Sequence, residues 1–161
     1  DIQNGGTLQV GQGTIQTTGT GAVRLNVATL AGVAPAMFQV TTGKADVYAA
    51  QFLLEKASVM QHVTQQPQLL RLWASSTAPV SPSSLSSLQH GSKLYGTVYM
   101  LAHRFTIWGD SEVYGAIISR ACRFENPGAW LHYDESLKDA QDWPSWWVPP
   151  ATTEVRLVAQ Y

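Results

Sequence analysis

At 161 residues the chain is one domain by size, long enough to bury a core without metal or disulfide staples. Ten Lys and Arg against eleven Asp and Glu leave a formal charge of -1, with only 13% of residues charged. That composition offers no basic stripe for nucleic acid and no electrostatic hold on anionic lipid.

No run nears the ~18 apolar residues of a membrane span, and no signal-like segment opens the chain. It opens on Asp1, so it reads as a processed or excised piece of a longer protein. Cys122 stands alone, which rules out an internal disulfide, and its reading is a buried, inert thiol.

From Asp1 to Val33 short alternating runs are divided by glycine. Thr7-Leu8-Gln9-Val10, Gly13-Thr14-Ile15-Gln16 and Ala22 to Val27 read as strands with one face buried. Gly5-Gly6, Gly11, Gly19 and Gly21 supply the turns. Strands are expected again at Met37 to Val40, Ala45 to Leu54, Ser58 to Met60 and Gln68 to Trp73. Ala45 to Leu54 has the propensity for a helix. The surrounding chain never sustains a 3.6-residue period, however, so strand is the reading. Residues 77–90, rich in Ser and Pro, read as a surface loop.

The clearest signal follows that loop. Leu94-Tyr95-Gly96-Thr97-Val98-Tyr99 returns as Val113-Tyr114-Gly115-Ala116-Ile117-Ile118, nineteen residues later, and a weaker copy opens at Leu131-His132-Tyr133. Such a period marks stacked rungs that bury their apolar faces against one another. Held through the block, the register sets Phe105 over Phe124, Arg104 over Arg123, and His103 beside Cys122.

The fold expected is all-β: a short parallel β-helix of about 18–19 residues per rung. The whole chain, 1–161, makes one domain. Residues 1–76 form degenerate rungs and 91–137 the best-defined rungs. Residues 138–161 form a Trp/Pro tail ending in a closing strand, Thr153 to Val158, able to cap the stack or pair along an edge.

The run from Leu94 to Ile118, ending in His132-Tyr133-Asp134-Glu135-Ser136-Leu137, resembles the C-terminal β-helical region of bacterial PilX-like, type IV pilus-associated surface proteins. The likeness covers Leu94 to Leu137; the hydrophobic N-terminal helix of that group is absent here. The resemblance implies a right-handed β-helix exposed on the bacterial envelope, at the cell surface or outside it. It also implies a structural or adhesive role without catalysis.

Candidate site residues are few. His132 and Asp134 lie two apart, on one face of a strand, and with His103 or Asp110 would make a mixed metal site. The plainer reading is that Asp134 caps a turn and bonds His132. Acidic residues form no pair recurring at one rung spacing, and no nucleophile elbow is present, so no catalytic residue and no cofactor are assigned. Trp143, Trp146 and Trp147, set among Pro144, Pro149 and Pro150, read either as a lid on the stack or as a stacking platform for a glycan or partner protein.

The function expected is a non-enzymatic surface domain meeting a protein or glycan partner, with a pilus component among the candidates. It has no nucleic-acid partner and no membrane contact of its own. A carbohydrate-binding module without a pilus link comes second, and a polysaccharide-degrading β-helix enzyme third.

Overall fold

The computed structural model describes residues 2, 3, 7–10, 13–17, 23–32, 35–41, 43–74 and 86–139. They form a nearly all-β structure in which every strand pair is parallel. No α-helix occurs among them; two 3-10 turns, Pro67–Leu69 and Glu135–Asp139, are the helical elements.

The twelve strands are β1 (Ile2–Gln3), β2 (Thr7–Val10), β3 (Gly13–Thr17), β4 (Val23–Gly32), β5 (Ala36–Val40) and β6 (Ala45–Leu54). Then come β7 (Val59–His62), β8 (Leu70–Ala74), β9 (Ser86–Leu88), β10 (Lys93–Trp108), β11 (Glu112–Glu125) and β12 (Trp130–Tyr133). The strands expected between Thr7 and Trp73 are present, and the ambiguous Ala45–Leu54 is strand β6, with the alternating burial of a half-buried strand. The Ser/Pro stretch is not loop to its end, since β9 lies within it.

The pairings sort into three columns, visited in a fixed order. The first runs from β1 through the front of β4, the front of β6 and β8 to Thr97–Tyr99 of β10, then to β11. The second runs from β2 through the back of β4, the end of β6 and β9 to Phe105–Ile107 of β10, then to the far half of β11. The third runs β3, β5, β7, the start of β10, the start of β11 and β12. The long strand β10 thus meets β7, β8 and β9 in turn along its length.

The expected uniform rung length does not hold. Lys93 pairs with Glu112 at the 19-residue interval, but Val23 pairs with Ala45 and Met37 with Val59 at 22. Where the chain passes through 75–85 the step lengthens to 34, as Leu54 pairs with Leu88. Length is absorbed at the corners; the strand segments hold register.

The aromatic alignment also needs correction. Register runs unbroken from Lys93↔Glu112 to Met100↔Ser119, then shifts before Arg104. Phe105 therefore lies beside Cys122, Ile107 beside Phe124, Arg104 beside Ala121 and Thr106 beside Arg123. The repeat loses two residues between those points, and the constant spacing carried the wrong pairs together.

Leu70, Leu94, Phe105, Ile107 and Val113 are fully buried, and with Val98, Met100 and Leu72 they join the columns into one core. Burying each such side chain stabilises by about 1.5–3 kcal/mol before entropy is counted. Gly96 and Gly115 explain why the repeat carries glycine after tyrosine. A Cβ on Gly96 would lie 2.8 Å from the Leu70 carbonyl oxygen, and one on Gly115 2.1 Å from that of Gly96. Gly115 also has φ +144°, a backbone state that L side chains rarely adopt.

One corner is built the same way three times. Lys56-Ala57, His90 with Gly91, and Gly109 with Asp110 all have positive φ, and each pair precedes a fully buried serine: Ser58, Ser92 and Ser111. The serine hydroxyls accept from or donate to corner backbone: Ser58 to the Glu55 carbonyl at 2.5 Å, Ser92 to that of Gln89 at 2.7 Å, and Ser111 to that of Gly109 at 3.1 Å. The carbonyls of Ser58, Ser92 and Ser111 accept from Lys93, Glu112 and Trp130 respectively, which carries the ladder around the bend.

Candidate binding surface

Two outward columns of rings mark the surface. In the first column of strands, Tyr48, Trp73 and Tyr99 stack, with centroids 6.1 Å and 5.1 Å apart. Asp46 ties this stack down: it accepts from Arg71 at 2.7 and 2.8 Å and from the Trp73 indole at 2.9 Å. The Arg71 guanidinium lies 5.8 Å from the Trp73 ring. Trp73 is buried in this arrangement, so the column is mainly a brace.

The third column ends differently. Tyr95, Tyr114 and His132 stack with centroids 4.5 and 4.4 Å apart and planes within 10°. In-register parallel strands place like positions a strand spacing apart, which suits flat rings face to face. Both faces of Tyr114 are thereby covered. His132 is exposed, and Trp130, two residues earlier on β12, stands 6.4 Å from it and 60% exposed. Tyr133 is 54% exposed beside them. The ladder therefore supports an open aromatic patch at its last step.

Polar groups pin the same ladder. Glu112 accepts from Lys93 at 3.0 Å and from the Tyr114 hydroxyl, and the His132 ring nitrogen Nε2 lies 3.3 Å away. The Tyr114 and Lys93 hydrogen bonds hold the Glu112 carboxyl below its ordinary range. The same bonds to Glu112 raise Tyr114 and Lys93.

Of the residues singled out by sequence, His132 is in the ladder facing Glu112. Asp134 accepts from the Ser136 amide at 2.9 Å while its carbonyl accepts from Leu137, so it caps the 3-10 turn. No group of three metal-ligating side chains occurs among the described residues. Trp143, Trp146 and Trp147 lie outside the described residues, as does Thr153 to Val158.

Cys122 departs from its expected place. The residue is exposed, at the last step of the second column, with Phe105 of the preceding row beside it. Desolvation from that side nevertheless pushes the thiol up to about 11, which keeps it protonated and poorly nucleophilic at neutral pH.

Sequence reasoning missed Trp130 and Glu112. The spacing of Lys93, Glu112 and Trp130, in step with the Tyr95, Tyr114 and His132 positions, was the signal available.

Stacked parallel strands carrying an outward aromatic ladder define a β-structural protein with a surface patch. Within that class, a family model described as a domain of unknown function (DUF7305) matches residues 2–140, and the chain belongs to that family. No curated protein and no solved structure matches it.

Proposed function

We propose that the chain is a right-handed parallel β-helix serving as a non-enzymatic structural and adhesive domain on the bacterial surface, in the setting of a type IV pilus-associated protein. The winding is supported by the three columns visited in one order, with β10 meeting β7, β8 and β9 in succession. The surface and pilus setting rests on the resemblance of Leu94 to Leu137 alone.

The observation carrying the binding role is Trp130, exposed at the end of a ring ladder that fixes its neighbours. A rigid indole in such a place loses little entropy on stacking against a sugar ring or a partner's side chain. Glu112 and Lys93 beside it supply hydrogen bonds that orient the guest. A glycan partner is the first choice and a protein partner the second.

The test is a glycan array probed with the domain and with Trp130→Ala, the fold of each checked by circular dichroism. Binding to a defined glycan class, weakened at least about tenfold by loss of the indole's stacking, is the expected result. Binding unchanged in Trp130→Ala would remove this patch as the site.

A further inference from the structure

The end of the stack is finished on one side and open on the other. Over the third column, β12 pairs with Glu112–Gly115 of β11. Over the first, the 3-10 turn Glu135–Asp139 follows, with Leu137 buried. Over the second column, no described strand pairs with the far half of β11. There Ala121, Cys122, Arg123 and Phe124 are all exposed, although their row partners Phe105 and Ile107 are fully buried. Parallel neighbours in register point the same way, so Cys122 and Phe124 present core-facing side chains with nothing described above them.

We infer that residues Glu154 to Val158 form one more parallel strand on the Arg120–Glu125 half of β11, setting Val155 over Cys122 and Leu157 over Phe124. The inference rests on the column order seen in the strand pairing and is independent of the binding role.

Three observations carry it. The chain visits the columns in the order third, first, second, so after β12 and the 3-10 turn the next place is the open one. Val155 lies as far from Cys122, within one residue, as Leu88 lies from its partner Leu54 in this same column. That earlier long step has its insertion, 75–85, between β8 and β9, at the same corner where 140–153 would leave the stack.

Side-chain chemistry agrees with the register. Val155 and Leu157 would continue the inward positions, while Glu154 and Arg156 fall outward. There each reaches diagonally to an opposite charge, Glu154 to Arg123 and Arg156 to Glu125, which already pair with each other at 2.7 Å. The exposed row would gain backbone partners, and the apolar end would leave water. The Trp/Pro segment would then span the end of the stack.

Cys122, the chain's one cysteine, reports on this directly. The full chain is labelled with a maleimide at mildly alkaline pH, beside Val155→Asp/Leu157→Asp of unchanged circular dichroism. The covering strand predicts labelling of the native chain slower by at least about tenfold, as expected where the thiol reacts through local opening. That protection should be the same at every protein concentration. Equal rates in the two proteins would overturn the inference. Protection that grows with concentration would overturn it too, in favour of a second copy seated on the edge. Should the variant unfold, hydrogen exchange of Ser119–Glu125 in the native chain decides: protected amides are expected, and exchange as fast as at a free edge would refute the strand.

Discussion

At the scale of single residues, chemistry is fixed only where two rows approach too closely for choice. Gly115 is the sharpest case, because its Cβ position falls on the Gly96 carbonyl and its φ is left-handed. Gly115→Ala should cost about 2–4 kcal/mol through clash and backbone strain, which lowers Tm by roughly 5–15 °C in a chain of this size. Gly91 is the control. It also has a positive φ, +76°, but a Cβ there meets nothing within 4 Å, so Gly91→Ala should cost only about 1–2 kcal/mol. Equal losses in thermal unfolding would show that strain alone, without the row-to-row contact, limits Gly115. These two glycines also show why the Tyr-Gly repeat was legible: close packing of rows admits one residue type, so the sequence repeats it. Inward positions such as Val47, Leu72 and Val98 need only be apolar, and their column leaves no repeated letter to find.

At the scale of elements, the start of β10, the start of β11 and β12 act as one unit through Glu112. Its carboxyl is held below its ordinary value of 4.5, so its contribution to stability is full above that pH and lost as pH falls through the depressed folded value. Tyr114 and Lys93 are raised by the same contacts, so their contribution is full below about 10 and lost as pH climbs through their folded values. Wild type and Glu112→Gln should therefore differ most between these limits and converge at both ends. The gap on the plateau is expected to be roughly 1 kcal/mol or less, because Lys93 is partly in water. Urea unfolding at a series of pH values measures it, and a pH-independent gap would contradict the ladder's electrostatics. The β10–β11 register was readable as far as Met100. Beyond it the two-residue shift moved Phe105 off Phe124, and a fixed period could not reveal a slip confined to one bend. The serine corner was readable in principle, since Gly91-Ser92 and Asp110-Ser111 stand just before Lys93 and Glu112. Its signal is two residues long, and a third copy lies 34 residues earlier at Ser58, outside any constant period.

At the scale of the whole molecule, everything rests on one in-register stack of parallel rows, with variable excursions at the corners. The candidate patch was legible only in part: His132 belongs to the repeat, whereas Trp130 emerged once β12 was seen to pair with β11. The most direct test uses the third column, where Gln39 pairs with Gln61, the line continues to Tyr95 and Tyr114, and His132 ends it. Spin labels at Gln39→Cys and His132→Cys, in a Cys122→Ser background, report that span by pulsed electron resonance. Four steps of one strand spacing predict a single distance centred at about 19 Å, widened by the label arms. A distance beyond about 30 Å, more than six such steps, would contradict the stack and with it the surface patch built on its end.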